Sequence, residues 1–482
     1  MTLLQVPAVD AQRGIARRMV IGLPRELSPS WERDFAGYPP AGVILFSRDF
    51  RDLEDLRRLT ARLRSLAGAR RIFLAIDEEG GFVSQLAGHF VVPPNAQLLA
   101  RGAAPGDLSC VARVTGERLR ALGLDWNFAP VADVRSQSRN PVIGPRAFGD
   151  QPEAVARAVR ETLRGFHAAH LASCLKHFPG HGDTTLDSHL ALPLCEVDRD
   201  RLESRELPPF GQNLDADAIM TAHVIYPALD RDWPATFSRP IVHDLLRERL
   251  GFGGVAITDA LEMKGASGER PLAEAARLSL EAGCDLVLFA FHDEEVRRVR
   301  LELADALVEG RLERTAFDQA RARLSALDAR RPPPDQATLA KPIESLTPPD
   351  WVARLEAIVE RGLEIRGGLP AHAGPWRITE PVFPHGPTFA SELQSLGLEL
   401  ATDSPAFEVV AVMARLPLPA EETERLRGLC RARPTALVGL QNDAFLEDLP
   451  EAALRISAAD ATPLTRRVVA RALSRSRADV RS

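Results

Sequence analysis

The feature that most constrains this fold is a succession of short apolar runs, each followed by an amphipathic stretch. The runs are rich in β-branched and aliphatic residues, which is typical of buried strands. They are MVIG (19–22), GVILF (42–46), IFLAI (72–76), DWNFAPV (125–131), ASCLKHF (172–178), AIMTAHV (218–224), GVAIT (254–258) and DLVLFAF (285–291). Eight strand-helix units over about 330 residues predict a (β/α)8 barrel, and an open doubly wound sheet is the alternative.

The segments between these runs carry helical patterns. They include residues 53–66, 153–170 and 271–283. The last has Pro271 near its start and Gly283 at its end, as helices commonly do. Alternating strands and helices indicate a parallel sheet.

Six prolines fall within residues 329–350, a stretch without apolar periodicity. We therefore predict a barrel over residues 1–330, a proline-rich linker over 331–350 and a second α/β domain over 351–482. Strand candidates of the second domain are residues 376–382, 407–414, 435–440 and 453–457. This domain contains few residues of obvious chemistry, so a supporting role is expected.

Charge and composition exclude several classes of protein. Sixty Lys and Arg stand against 66 Asp and Glu, a balance that argues against a nucleic-acid partner. No apolar run approaches the 18 or so residues of a membrane span, and the N-terminus lacks a signal-peptide pattern, so a cytoplasmic protein without a membrane partner is expected. Five widely spaced cysteines without a CxxC indicate neither a disulfide framework nor a zinc cluster.

Polar residues stand at the ends of several predicted strands. They are Asp77, Lys176, His177, His223 and Asp259. In a parallel barrel this end is rigidly held and open to solvent, which makes it the usual place for catalytic groups. A carboxylate at such a place can instead cap a helix. Several strands contribute, which favours a shared site.

The loop over residues 175–193 concentrates three of the eleven histidines. Asp187 and His189 are two positions apart, so in an extended loop the carboxylate can orient the imidazole for general acid/base work. A satisfied surface histidine is one alternative, and a metal site that includes His181 and Asp183 is another. The spacing matches no tight zinc pattern, so neither a metal nor another cofactor is expected.

Asp259 is the candidate nucleophile, because GFGGVAITDALEM places it at the tip of an apolar strand. A carboxylate nucleophile and a separate proton donor are the minimum equipment for retaining glycoside hydrolysis. Asp259 and His189 divide these roles.

The chain resembles family 3 glycoside hydrolases, and within them the β-N-acetylhexosaminidase branch. The matching stretches are AGVILFSRDF, AIDEEGG, LRALGLDWNFAPVADV, NPVIGPRAFGDQP, LKHFPGHGDTTLDSHLALP, IMTAHVIYPALD, PATFS and GFGGVAITDALEM. The resemblance implies a barrel followed by an αβα sandwich domain. It also implies Asp259 as nucleophile and the Asp187 and His189 pair as acid/base, in agreement with the roles inferred from the residues themselves.

The resemblance further implies sugar-binding roles for Asp77, Arg146, Lys176 and His177. Each residue type suits such a role, because carboxylates accept from sugar hydroxyls, whereas arginine and lysine donate. Asp133 and His223 are expected to line or brace the pocket. Two arginines that are usual in relatives are replaced here by Phe82 and Gln85, which puts substrate choice at that edge in question; Phe82 packed into the barrel wall is the alternative.

The predicted activity is that of a retaining exo-β-N-acetylglucosaminidase acting on terminal GlcNAc of cell-wall muropeptides, as in peptidoglycan recycling, or of chitooligosaccharides. The alternatives are a β-glucosidase or β-xylosidase, a phosphorylase of the same fold, and a non-catalytic sugar-binding protein. A small carbohydrate is the expected partner, and the expected state is a monomer or homodimer.

Overall fold

Eight parallel strands form a nearly closed barrel in the computed structural model. The structure describes residues 8–138, 140–184, 192–268, 270–369, 375–401 and 405–476. In chain order the barrel strands are β1 (Met19–Ile21), β2 (Gly42–Leu45), β3 (Phe73–Ile76), β4 (Trp126–Asn127), β5 (Cys174–Phe178), β6 (Ala218–Thr221), β7 (Val255–Ala260) and β8 (Leu286–Phe289). All eight lie within runs singled out in the sequence or extend them by two residues.

The sheet order is β4-β3-β2-β1-β8-β7-β6-β5, and every neighbouring pair is parallel. Two isolated bridges join β4 to β5, one between Trp126 and Ala172 and one between Val131 and Lys176. They close the sheet on itself. The predicted (β/α)8 barrel is confirmed, and the open doubly wound sheet is excluded.

The barrel interior is filled by alternate residues of the strands, as the two-residue period of a strand requires. Phe73 and Ala75 of β3 and Trp126 of β4 belong to this buried cluster. The Trp126 ring packs edge-on against Phe73, with ring centroids 5.4 Å apart. Leu324 and Leu327 join the same cluster from a helix after the last strand. This helix therefore plugs one end of the barrel.

Helices surround the strands in the alternation that the sequence predicts. The main ones are Ala8–Ala16, Pro29–Gly37, Leu53–Ala67, Asp107–Ala121, Pro152–Ala168, Leu272–Ala282, Glu294–Val308 and Arg314–Arg330, and a π-helix spans Pro240–Arg249. Leu272–Ala282 begins after Pro271 and ends at Gly283, whose φ of +117° is a left-handed conformation that favours glycine.

The described chain divides into two compact units, and the second is discontinuous. The first consists of Met1–Glu78, Ser109–Val134 and Gln151–Leu346. The second consists of Glu79–Leu108, Arg135–Asp150 and Thr347–Ser482. Two segments that follow β3 and β4 in the sequence thus pack with the C-terminal part of the chain. The boundaries at residues 330 and 350 inferred from composition stay a prediction.

A five-stranded sheet forms the centre of the second unit. Its strands are β9 (Glu364–Gly367), β10 (Trp376–Thr379), β11 (Phe407–Val412), β12 (Thr435–Gly439) and β13 (Leu454–Ser457), in the order β9-β13-β12-β11-β10. Its main helices are Ala96–Gly102, Trp351–Gly362, Phe389–Ser395, Ala420–Ala432 and Pro463–Arg475. Val409 packs with helices Phe389–Ser395 and Pro463–Arg475, whereas Val410 packs with Ala420–Ala432 on the other face. The αβα sandwich is confirmed.

Strand β9 is an element that the sequence did not predict. All four of its residues are exposed, and it pairs antiparallel with β13 at the sheet edge. An exposed edge strand needs no apolar alternation, so it leaves little signal in the sequence. The predicted linker also contains a helical turn at Gln336–Leu339 and a 3-10 turn at Ile343–Leu346.

No helix among the described residues is long and apolar enough to cross a membrane.

Close contact between helices Ala96–Gly102 and Trp351–Gly362 depends on two glycines. A Cβ atom on Gly102 would lie 1.8 Å from the Ile358 carbonyl oxygen, and one on Gly362 would lie 2.6 Å from that of Leu98. Backbone atoms cannot rotate away as side chains do. Small residues at these two positions are therefore a condition for the packing of the second unit.

We predict that Gly102→Ala lowers the free energy of unfolding by about 1–3 kcal/mol, because the methyl group forces the two helices apart. Urea unfolding followed by circular dichroism measures the effect. Gly428→Ala is the matched control: Gly428 lies inside helix Ala420–Ala432 with nothing within 4 Å of its added Cβ. This variant should be unchanged or more stable by up to about 1 kcal/mol. Equal effects of the two substitutions would contradict the packing argument.

Candidate active site

The polar residues predicted from the sequence gather at the carboxyl ends of the barrel strands. Asp77 follows β3, Lys176 and His177 belong to β5, and His223 follows β6. Asp259 lies in β7, one residue before its end. All of them belong to the first unit. Because parallel strands end on the same side, one rim of the barrel carries the whole set.

Lys176 and Asp77 form an ion pair across the rim. The Lys176 Nζ lies 2.7 Å from the Asp77 Oδ1, and the lysine side chain is only 3% exposed while the aspartate side chain is 22% exposed. The backbone next to Asp77 is fixed by Asn127. The Glu78 amide donates to the Asn127 side-chain oxygen, and the Asn127 side-chain amide donates to the Glu78 carbonyl. The pair presents a fixed carboxylate and a fixed cation to the barrel mouth.

Asp133 is a buried carboxylate that organises the start of the loop after β5. It accepts from the His177 and His181 backbone amides at 3.0 and 2.7 Å, and its Oδ2 lies 2.7 Å from the His177 Nδ1. Burial raises the pKa of Asp133, but the charge and donors of His177 and the charge of His181 outweigh burial and hold it below 3.8. The ionised form is therefore favoured. Its bracing role agrees with the expectation from the sequence.

Asp259 is partly exposed and surrounded by positive groups. The Ala260 backbone amide donates to its Oδ1 at 2.7 Å. Burial raises the pKa of Asp259, whereas His177, His223 and the Ala260 amide, followed by Lys176, lower it, and the net shift is downward from 3.8. The carboxylate is thus ionised at neutral pH, as a nucleophile must be.

His223 braces the backbone beside Asp259. Its Nε2 lies 3.0 Å from the Ala260 carbonyl oxygen, and its Nδ1 lies 2.8 Å from the Thr236 hydroxyl. A carbonyl can only accept, so the Nε2 carries the proton in this pair. With both ring nitrogens engaged, His223 is a positioning residue, as the sequence suggested.

Asp187 and His189, the predicted acid/base pair, lie outside the described residues, so their roles stay a prediction. The chain just before them is anchored by residues that were not predicted from the sequence. The Tyr226 hydroxyl donates to the Gly180 carbonyl at 2.7 Å, and Arg205 pairs with Asp183 and Glu206. One sequence signal was available: Tyr226 is one of two tyrosines in the chain and follows a predicted strand.

Arg146 belongs to the second unit. Its Nη2 and Nε lie 2.8 and 2.9 Å from the two carboxylate oxygens of Glu79, which makes a bidentate ion pair. Glu79 was not predicted as its partner. Phe82, in the same unit, is 37% exposed, and its effect on substrate choice stays a prediction.

Among the residues with assigned positions, no group of three or more His, Cys, Asp or Glu could hold a metal ion.

Glu262, three residues after Asp259, is a largely buried carboxyl group to which the sequence alone assigns no role. The Phe291 amide donates to its Oε1 at 3.1 Å, and the second oxygen has no hydrogen-bond partner within the described chain. Burial raises the pKa of Glu262 to about 7, although the amides of Glu262, Phe291 and Ala290 lower it. Below pH 7 the neutral form of this carboxyl is therefore favoured.

Comparison with known proteins gives concordant matches. A sequence profile described as "Glycosyl hydrolase family 3 N terminal domain" matches residues 30–327. The Beta-hexosaminidase A of Pseudoalteromonas piscicida is 35% identical over 372 residues, or 71% of this chain. The match spans 61% of that protein, which is less than two thirds of its length. The Beta-hexosaminidase of Alkalilimnicola ehrlichii is 40% identical over 300 residues, covering 60% of this chain and 84% of its own.

A solved structure extends the likeness to both units. It is that of a glycoside hydrolase family 3 beta-N-acetylglucosaminidase from Paenibacillus sp. str. FPU-7, with a TM-score of 0.87 and 29% identity, and the match covers 96% of each chain.

We predict that Glu262→Gln makes stability less dependent on pH. A carboxyl whose pKa is raised in the folded state stabilises the fold fully below its unfolded pKa near 4.5, and this contribution is lost as pH rises through about 7. The variant should therefore exceed the parent protein by roughly 1–3 kcal/mol at pH 8 and lose that advantage at pH 5. Urea unfolding at both pH values tests this, with the exposed Glu302→Gln as control. A parallel pH response in all three proteins would refute the burial argument.

Proposed function

The chain belongs to glycosyl hydrolase family 3, which confirms the resemblance found in its motifs, and on this premise we propose that it is a retaining exo-β-N-acetylglucosaminidase. The observation that carries the proposal is the ionised Asp259 at the end of β7, on the same rim as the Lys176–Asp77 pair. Two relatives named Beta-hexosaminidase and a solved beta-N-acetylglucosaminidase of the same family support the choice of sugar.

In the proposed first step, Asp259 attacks the anomeric carbon of the terminal sugar. The bond from that carbon to the leaving-group oxygen breaks, and His189, oriented by Asp187, gives its proton to the departing oxygen. A covalent glycosyl-aspartate results. The low pKa of Asp259 favours this step because the carboxylate needs no base to activate it.

In the second step, His189 takes a proton from water, and the water oxygen attacks the same carbon. The bond to Asp259 breaks, and the carboxylate returns with the sugar released in its original β configuration. One imidazole thus serves as acid and then as base, which suits a group whose reference pKa is near 6.5.

Sugar recognition is assigned to Asp77, Lys176, His177 and Arg146. The partly exposed Asp77 carboxylate can accept from hydroxyl groups of the sugar, while Lys176 beside it can donate. Asp133 fixes the orientation of His177 through its Nδ1, which leaves the opposite edge of the ring for substrate. Arg146 pairs with Glu79 within the second unit, and its role in sugar binding stays a prediction from the sequence.

The proposed substrates are cell-wall muropeptides and chitooligosaccharides with a terminal β-linked GlcNAc. The recycling of peptidoglycan in the cytoplasm stays a prediction from the sequence, as do the monomeric or dimeric state and the independence from metals. A panel of p-nitrophenyl glycosides in phosphate-free buffer tests the proposal. Turnover of the N-acetylglucosaminide without phosphate is expected; a strict need for phosphate would make the enzyme a phosphorylase, and preference for the glucoside or xyloside would overturn the sugar assignment.

We predict that a slow 5-fluoro N-acetylglucosaminyl substrate labels Asp259. Peptide mass spectrometry after digestion should find the adduct on the peptide that contains this residue. Asp259→Asn should show no label and should lose at least about 10³-fold in kcat, because the amide is a poor nucleophile. Asp215→Asn, an exposed aspartate of the same unit, is the control and should keep both labelling and rate. An adduct on any other peptide would refute the nucleophile.

We predict that His189→Ala slows cleavage of a natural disaccharide by roughly 10²–10⁴-fold and of a dinitrophenyl glycoside far less, since a good leaving group needs no proton. The kcat values of both substrates are compared with those of His243→Ala, a histidine on the outer helix Pro240–Arg249. The Asp187→Ala and His189→Ala effects should be strongly non-additive. Equal losses on the two substrates, or an additive double variant, would contradict a shared proton-transfer unit.

A further inference from the structure

At the amino ends of the barrel strands, three aspartates occupy one recurring position, directly before an even-numbered strand. They are Asp125 before β4, Asp217 before β6 and Asp285 before β8. Each carboxylate accepts a backbone N–H from the preceding odd-numbered strand or the residue just before it. The donors are Leu74 at 2.7 Å, Ser173 at 3.2 Å and Ala256 at 2.9 Å. The repeat follows the alternation of odd and even strands in the barrel.

Each of these buried carboxylates is also neutralised by arginines. The pairs are Asp125 with Arg64 and Arg71, Asp217 with Arg331, and Asp285 with Arg247 and Arg323, at 2.6–3.0 Å. At the amino end of the barrel, each aspartate therefore accepts a hydrogen bond from the backbone of a neighbouring strand and also pairs with one or two arginines.

The fourth equivalent position, before β2, is Ala41. Its amide donates to the Met19 carbonyl at 2.9 Å, just as the amide of Asp125 donates to Leu74 at 3.0 Å and that of Asp285 donates to Ala256 at 2.7 Å. The backbone position is the same, but the side chain lacks a carboxylate. Of the four equivalent positions, the one before β2 therefore lacks the negative charge that the other three carry.

A cavity of about 300 Å³ lies at this quarter of the barrel end. Four arginines and two aspartates line it: Arg17, Arg18, Arg71, Arg321, Asp318 and Asp328. Arg71 and Arg321 pair with carboxylates. Ala41 is buried and does not itself line the cavity. Two lining residues contact its backbone neighbourhood: the Phe73 amide donates to the Ala41 carbonyl at 2.9 Å, and Arg17 donates to the carbonyl of Pro40, the residue before it.

Arg17 and Arg18 donate their hydrogen bonds to carbonyl oxygens within the described chain. Arg17 Nη1 donates to Pro40 at 2.9 Å and to Arg71, and Arg18 donates to Cys284 at 2.8 Å and to Asp285. Neutral carbonyls satisfy the hydrogen bonds but carry no full negative charge. The carboxylates whose charges act on these arginines, Asp328 on Arg17 and Asp285 on Arg18, are already paired with Arg71 and with Arg247 and Arg323 respectively.

Arg18 is only 3% exposed, and its guanidinium carbon lies 4.5 Å from the Phe317 ring centroid. Its Nη1 is buried without a hydrogen-bond partner among the described residues. Burial is the main cause that lowers the pKa of Arg17; the charges of Arg70 and Arg71 lower it further, and the charge of Asp328 opposes them. Both arginines line the cavity.

We propose that this cavity binds a phosphate group, as inorganic phosphate or on a small phosphorylated molecule, in place of the carboxylate that Ala41 lacks. A doubly charged oxyanion matches two arginines whose hydrogen bonds go to neutral carbonyls, and arginine donors suit phosphate geometry. The site lies at the amino ends of the strands, whereas Asp259 and its neighbours lie at the carboxyl ends. Phosphate bound here stabilises the barrel and takes no part in the reaction.

Isothermal titration calorimetry with inorganic phosphate and with a hexose 6-phosphate, at constant ionic strength, tests the proposal. We expect one saturable site, and a Kd at least about tenfold higher in Arg17→Gln, since one charge-assisted contact is lost. Arg33→Gln removes an exposed charge of the same unit and should bind as the parent does. Tighter binding of the hexose phosphate would identify a phosphorylated molecule as the ligand, and equal binding would identify the free ion.

The same titration on Asp259→Asn separates this site from the catalytic one, because phosphate binding should persist there. Glycosidase activity of Arg17→Gln should stay unchanged. No saturable binding, equal Kd values in Arg17→Gln and the parent protein, or loss of binding in Asp259→Asn would overturn the proposal.

A second variant supplies the missing carboxylate from the chain itself. Ala41→Asp should abolish phosphate binding and raise Tm in phosphate-free buffer, whereas Ala41→Asn, of equal size, should do neither. A folded Ala41→Asp that keeps the parent Kd would overturn the proposal. If Ala41→Asp fails to fold, the Arg17→Gln titration decides.

Discussion

A closed sheet of parallel strands has two chemically different ends, and most of this molecule follows from that constraint. Every strand begins at one end and finishes at the other, so residues that follow the strands share one rim and residues that precede them share the opposite one. Asp77, Lys176 and Asp259 are far apart in the sequence but share one rim, because Asp77 follows β3, Lys176 lies in the second half of the run that forms β5, and Asp259 is one residue before the end of β7. Asp125 and Asp285 meet their arginines at the start for the same reason.

The two rims use buried carboxylates differently. Asp133 lies wholly inside the protein, and its charge is tolerated because two backbone amides and the His177 imidazole all donate to it. Those three contacts tie His177 of β5 and His181 of the following loop to one carboxylate. At the opposite rim, Asp125 uses one oxygen on a strand amide and the other on arginines, so it holds the strand rather than a loop.

The sequence was sufficient for features that depend on local pattern. The apolar runs predicted all eight barrel strands, and residues at strand ends predicted the rim that carries Asp77, Lys176 and Asp259. Features that depend on distant partners left no such signal. The Glu79–Arg146 pair joins residues 67 positions apart, and the Asp133–His177 contact joins residues 44 positions apart. Strand β9 is exposed throughout and has no apolar pattern to recognise.

The discontinuous second unit constrains the order in which the chain can fold. The Asn95 amide donates to Asp460, and the Trp351 indole donates to the Val91 carbonyl, so the segment Glu79–Leu108 finds its partners hundreds of residues later. During synthesis this segment leaves the ribosome long before those partners exist. This segment, with apolar side chains such as Leu98, therefore stays without its partners until the last part of the chain is made. The C-terminal region is not an appendage that can be cut away: without it, two early segments lose the core in which they are folded.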